Sequence, residues 1–301
     1  MAWAAADGRT RTIAALPVEP AQDLGLTGLA VAADYATSRH VYLARSVPGG
    51  TGGYLLRLAR WTVTGAPEPT GLADEQVLFE FRSPYAVHGM TGIVAADDGT
   101  LWVSIGDLSD FTRTDRNALR TMGLDTPNGK VLHVTATGDG VPGNPYYQAS
   151  NPSSWRSRVY ASGFRSPFRL SLDPGTGTPI VGDVGYNTWE EIDLVRPGQN
   201  YKWPCWEGNH RTPGYADLPE CASEVNTPPL WDTATAAAST RATASPAASS
   251  TGARATRRPT AARTSSATTP RRSCGCCAST RRESWCGRRR ARRSPVTSAG
   301  R

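Results

Sequence analysis

One cation and three carboxylates, Arg165, Asp183, Glu190 and Glu191, fall at the ends of two short apolar runs, residues 168–172 and 179–183. Between the runs stands Asp173-Pro174-Gly175-Thr176-Gly177, the turn chemistry of a β-hairpin. Charged groups at strand ends, with apolar strands between them, read as a site on the rim of a β scaffold. A second group, Asp107, Asp110 and Asp115, offers oxygens of the kind a hard cation takes, but without EF-hand spacing, so turn formation is the expectation. Cys205 and Cys221 share a Gly- and Pro-rich loop and read either as a disulfide across it or as two free thiols.

The elements that must position these groups show a repeat. Residues 29–33 and 40–44 read as strands flanking Asp34 and a polar turn. The same unit returns at 91–107 (TGIVAADDGTLWVSIGD) and at 168–185 (FRLSLDPGTGTPIVGDVG). The last two copies close alike, on Gly106-Asp107 and Gly182-Asp183. Further strands are expected at 54–61, 75–81 and 130–135, with long loops at 108–128 and 138–158. Recurrent strand–turn–strand units without a helical period predict an all-β chain built as a β-propeller.

The net charge of +7 misleads, because it is divided unevenly. Residues 233–301 carry 15 Arg and one Glu, a surplus of 14, which leaves −7 for residues 1–232. That C-terminal segment has no Leu, Ile, Phe, Tyr or Lys and is dominated by Arg, Ala, Ser and Thr, so it is expected to be disordered. Its reading here is translation out of frame. Codons exist under which residues 264–269, read one base earlier, spell Asp-Phe-Phe-Gly-Asp-Tyr, a strand with the same Gly-Asp close. The expected division is therefore a propeller part at 1–232 and a low-complexity basic tail at 233–301. No run approaches the ~20 apolar residues of a membrane span. The N-terminus lacks the basic start and apolar stretch of a signal peptide, so either the protein is cytoplasmic or its start lies upstream.

Six segments in consistent order over about residues 20–232 resemble the soluble quinoprotein glucose/sorbosone dehydrogenase family. They are GLTGLAVAADYATSRHVYL, His88-Gly89-Met90-Thr91-Gly92 with GTLWVSIGD, NGKVLHVTATGDGVPGNP, YASGFRSPFRLSLDP, VGDVGYNTWEEID and NYKWPCWEG. The resemblance implies a six-bladed propeller that oxidises a sugar with pyrroloquinoline quinone (PQQ) and calcium, passing electrons to an external acceptor. It places His88 as the base that removes the sugar hydroxyl proton, a role suited to a group titrating near neutrality. Arg165 and Ser166 fall on cofactor-contacting positions, a fixed guanidinium suiting carboxylate and quinone oxygens. Gly185 and Tyr186 fall where backbone carbonyls hold the cofactor's calcium, and Glu191 where a carboxylate holds a second, structural calcium. The resemblance also implies the Cys205–Cys221 disulfide, and with it a secreted or cell-surface protein whose leader is absent from this chain. The first blade's opening strands and about two later blades are expected to be missing. The chain as written is then expected to expose apolar blade faces and show little activity.

Two other classes compete with the dehydrogenase. A non-catalytic propeller binding carbohydrate or protein is favoured by Ser166, where many members carry Asn, and by Val184. A nucleic-acid binder using the Arg tail predicts steeply salt-dependent binding that vanishes when 233–301 are removed. The acidic balance of 1–232 argues against nucleic acid as a partner of the propeller part.

Overall fold

The computed structural model describes residues 1–49 and 51–235. The expectations of disorder and altered frame cover residues 233–301; residues 236–301 lie outside the described residues, while Thr233 and Ala234 are ordered in a strand, against the expectation. The composition boundary at 232 is crossed by a strand that runs on to Ala234.

A small hairpin of β1 (Ala2–Ala4) and β2 (Thr10–Thr12) precedes three four-stranded sheets. The first is β3 (Leu26–Val31), β4 (His40–Val47), β5 (Tyr54–Thr64) and β6 (Gly71–Ser83), paired in chain order. The second is β7 (Met90–Ala95), β8 (Leu101–Ile105), β9 (Lys130–Val134) and β10 (Val159–Ser162). The third begins with β11 (Pro167–Leu172), β12 (Pro179–Asp183) and β13 (Trp189–Leu194). A two-stranded excursion, β14 (Trp206–Glu207) and β15 (His210–Arg211), intervenes before β16 (Trp231–Ala234) completes it. All pairings between these strands are antiparallel, and each four-stranded sheet is one blade of a β-propeller. Among the described residues no helix is long and apolar enough to cross a membrane.

The turns follow the chemistry read from sequence. Asp98 Oδ1 accepts the backbone N–H (2.9 Å) and hydroxyl (2.6 Å) of Thr100. Asp173 Oδ1 accepts the N–H groups of Gly175 and Thr176 at 3.1 and 2.8 Å. Each carboxylate closes its turn as an Asx motif.

The blades are joined by a repeated device at their first strands. Each first strand has a register shift after its first residue: Leu26/Gly28, Met90/Gly92 and Pro167/Arg169. At that bulge the Thr27 hydroxyl donates to the Met90 carbonyl (2.6 Å), and the Thr91 hydroxyl to the Pro167 carbonyl (3.0 Å). The next residue is glycine in both copies, and its missing side chain admits the neighbouring blade. A Cβ on Gly28 would stand 2.8 Å from Ile93 Cγ2, and one on Gly92 3.0 Å from Leu170 Cβ. Between the first two sheets lies a core of Ala30, Tyr42, Leu58, Phe81, Met90 and Val103. Between the second and third lie Trp102, Val131, Phe164, Val181 and Tyr201.

Candidate active site

His88 sits in the turn between β6 and β7, buried, with φ +51. Its backbone N–H donates to Asp23 Oδ2 at 3.2 Å. The turn passes so close to Gly106 that a Cβ there would lie 2.8 Å from His88 Cβ. This contact carries His88 onto Asp107, two residues past the end of β8. His88 Nδ1 lies 2.7 Å from Asp107 Oδ1. Asp107 Oδ2 accepts the Ser109 hydroxyl (2.6 Å) and the Trp203 indole N–H (2.8 Å). A carboxylate at Nδ1 takes that nitrogen's proton as a hydrogen bond and leaves the Nε2 lone pair free in the neutral ring. Asp107 is fully buried, and burial alone would raise its pKa. The hydrogen bond and charge of His88, with Arg165 and Ser109, outweigh burial and hold the carboxyl below its ordinary value.

Arg165 stands immediately behind this pair: its carbonyl accepts the Asp107 N–H at 2.8 Å. Its Nη1 donates to the carbonyls of Val184 (3.0 Å) and Gly185 (2.6 Å). The guanidinium carbon lies 5.5 Å from the Tyr186 ring centroid and 5.6 Å from that of Trp203, within cation–π range. Arg165 Nε is buried without a hydrogen-bond partner among the described residues. Asp183 accepts the backbone N–H groups of Arg165 (2.8 Å) and Ser166 (2.6 Å), fixing the start of β11. Ser166 thus contributes its amide to the scaffold.

A second polar centre lies between β12 and β13. Their register pairs Asp183 with Glu191 and Val181 with Asp193, placing the three carboxylates on one face. One oxygen from each of Asp183, Glu191 and Asp193 lies within 4.8 Å of the others. Neither oxygen of Asp193 has a hydrogen-bond partner among the described residues. Burial, then mutual repulsion, pushes Glu191 and Asp193 well above the ordinary carboxylate range, and burial pushes Asp183 up to about 7.

Cys205 and Cys221 are joined, with Cα atoms 5.1 Å apart, tying down the loop that carries Trp203 and Glu207. Glu190, one of the carboxylates at the strand ends, accepts the Gly185 N–H at 3.1 Å. Asp110 and Asp115 behave as turn and cap residues: Asp110 Oδ1 takes the Thr112 N–H (2.9 Å) and Asp115 Oδ1 the Asn117 N–H (3.0 Å). Lys202 adopts φ +74, the left-handed region that favours glycine, and its Nζ pairs with Glu224 at 2.7 Å.

The structure brings His88, Arg165, Ser166, Gly185 and Tyr186 into one continuous region through Asp107 and Trp203. Glu191 belongs to the neighbouring carboxylate cluster. Sequence reading missed Asp107 as the partner of His88, although its Gly106-Asp107 close repeated at Gly182-Asp183. It also missed Trp203, Asp193 and Glu207, which no local pattern marks.

The family model for Glucose / Sorbosone dehydrogenase matches residues 1–248. Among curated proteins, the aldose sugar dehydrogenase YliI of Escherichia coli (strain K12) is 22% identical over 228 residues, 74% of this chain and 57% of that protein. Quinoprotein glucose dehydrogenase B of Acinetobacter calcoaceticus is 33% identical over 88 residues, 29% of this chain and 17% of that protein. Among solved structures, a glucose dehydrogenase superposes with TM-score 0.63 at 24% identity, covering 77% of this chain and 64% of the other. The PQQ-bound form of an aldose sugar dehydrogenase from Streptomyces coelicolor gives TM-score 0.58 at 25% identity, covering 75% and 59%. The chain spans less than two thirds of the length of each of these relatives.

Proposed function

The chain belongs to the Glucose / Sorbosone dehydrogenase family, and we propose that its His88 region serves the oxidation of an aldose or related sugar, with PQQ and calcium as cofactors. The observation that carries the reading is the buried His88–Asp107 pair beside Arg165. It presents one imidazole nitrogen as an acceptor next to a cationic, aromatic seat.

The residues fit the groups the family implies. Arg165 offers a buried guanidinium with Nε unspent, flanked by Tyr186 and Trp203, which suits a flat, anionic ring system. The Val184 and Gly185 carbonyls, oxygens of the kind a hard cation takes, are gathered side by side by Arg165 Nη1. Asp183, Glu191 and Asp193 gather more negative charge than the buried site neutralises, which suits a second calcium ion.

When bound, quinone would supply the two-electron acceptor for the hydride leaving the sugar carbon. The chain's own part is the proton. His88 Nε2 takes the hydroxyl proton as the carbon–hydrogen bond breaks, and Asp107 stabilises the imidazolium that results. Trp203 and Ser109 hold Asp107 so that it cannot rotate away from the ring. The Cys205–Cys221 bond supports work in an oxidising compartment, at the cell surface or outside it.

The test is reconstitution of the 301-residue chain with PQQ and calcium, followed by sugar-dependent dye reduction. Activity that is lost in His88→Gln with quinone uptake retained supports the assignment. A chain that gives no calcium-dependent absorbance change with quinone and reduces no dye with any aldose is instead a non-catalytic propeller.

A further inference from the structure

Glu207 is buried, yet the proton-transfer chemistry above does not use it. It lies on β14, two residues beyond the disulfide at Cys205. Its Oε1 accepts four successive backbone N–H groups: Tyr186 (2.6 Å), Asn187 (3.0 Å), Thr188 (3.1 Å) and Trp189 (3.0 Å). Its Oε2 accepts the Thr188 hydroxyl at 2.6 Å. The one amide before this run, Gly185, goes to Glu190 Oε2 at 3.1 Å.

In a trans peptide unit the N–H and the C=O point in opposite directions within one plane. The unit joining Val184 to Gly185 is therefore held at both ends: its N–H by Glu190, its C=O by Arg165 Nη1. The unit joining Gly185 to Tyr186 is held likewise, its N–H by Glu207 and its C=O by Arg165 Nη1. Glycine is required between them. A Cβ on Gly185 would collide with the Trp189 carbonyl and lie 2.7 Å from Glu207 Oε1. With the N–H groups turned to the carboxylate side, the two carbonyls face the opposite way, toward Arg165.

We propose that Glu207 is a positioning residue: by holding the 186–189 amides it aims the Gly185 carbonyl at the seat of the cofactor's cation. The aim of the carbonyl follows from the hydrogen bonds above. Its use as a cation ligand rests on the function proposed in the preceding subsection. Charge-assisted bonds to four amides make the carboxylate a stronger clamp than a neutral side chain of the same shape.

The experiment compares the 301-residue chain with Glu207→Gln and Glu207→Ala by amide hydrogen exchange and by calcium titration of the quinone absorbance change. In Glu207→Ala the 186–189 amides should exchange at least about tenfold faster, while β7, β8 and β9 keep their protection. Half-saturating calcium should rise by about 10–100-fold in the same variant, as for loss of a group that orients a metal ligand. Glu207→Gln, which keeps an acceptor at Oε1, should fall between the two. Unchanged exchange at 186–189 overturns the proposal, as does faster exchange with an unchanged calcium requirement. If Glu207→Ala does not fold, Glu207→Gln decides by the same two readouts. If the parent chain takes up no quinone, the proposed function fails separately, and exchange alone decides whether Glu207 holds the loop.

Discussion

Trp203 and His88 meet on the same carboxylate: the indole N–H donates to Asp107 Oδ2 at 2.8 Å, and His88 Nδ1 lies 2.7 Å from Asp107 Oδ1. The proposed base and the indole that packs against Arg165 are thereby held by one buried group. Asp107→Asn keeps the shape but replaces one acceptor oxygen with an NH₂ donor, so His88 loses its preferred tautomer. Turnover should fall by about 10²–10⁴-fold with quinone binding little changed. Steady-state kinetics and quinone titration separate the two effects. Because the folded pKa of Asp107 is lowered, its stabilising contribution is present above the ordinary carboxylate value and is lost as pH falls through the folded value.

The junction between the first two blades should be sensitive to a single methyl group. Gly28→Ala would press on Ile93 Cγ2 and is expected to cost about 1–3 kcal/mol. Thr27→Val removes the donor to the Met90 carbonyl and should cost about 1 kcal/mol. Urea unfolding of both variants measures these costs.

Calcium should stabilise the chain through the Asp183, Glu191 and Asp193 cluster. At a hundredfold excess over the dissociation constant the gain is about 2.7 kcal/mol. Differential scanning calorimetry with calcium against chelator should show a higher melting temperature, and Asp193→Asn should remove most of the difference. A calcium response that survives Asp193→Asn, or none in the parent chain, contradicts this assignment.

Lys130 is fully buried on β9, and burial pushes its amine down to about 7. Its Nζ donates to the carbonyls of Thr121 (2.9 Å) and Asn128. The folded value lies below that of an unfolded lysine, so between about 7 and about 10 the unfolded chain binds more protons than the fold. Stability should therefore rise with pH across that window and be insensitive to this group below it. Lys130→Met should abolish that slope in denaturant titrations at pH 7, 8 and 9.

The disulfide closes a loop with a sequence separation of 16. The chain-entropy estimate for a loop of this size is about 3 kcal/mol. The Cys205→Ser, Cys221→Ser double variant should lose about that much, read from denaturant midpoints. The 186–189 amides should also exchange faster, because Glu207 shares the tethered loop.

By itself the sequence determined the local parts of this protein. Alternation and turn residues placed the β11–β12 hairpin, the Asp98 and Asp173 turns, and the kinship of the Gly106-Asp107 and Gly182-Asp183 closes. Each depends on interactions between residues a few positions apart. It also placed His88 and Arg165 in recognisable motifs. Only the tertiary structure decided what those residues face. Trp203 reaches Asp107 across 96 positions, and β16 reaches β13 after the whole 205–221 loop has intervened. Glu207 finds its amides in a turn 18 to 21 positions earlier. Such pairings are created by stacking one blade on the next and by folding a tethered loop back across a strand end. They leave no period or spacing in the chain, because the partners are many positions apart and meet only once the blades and the tethered loop are in place.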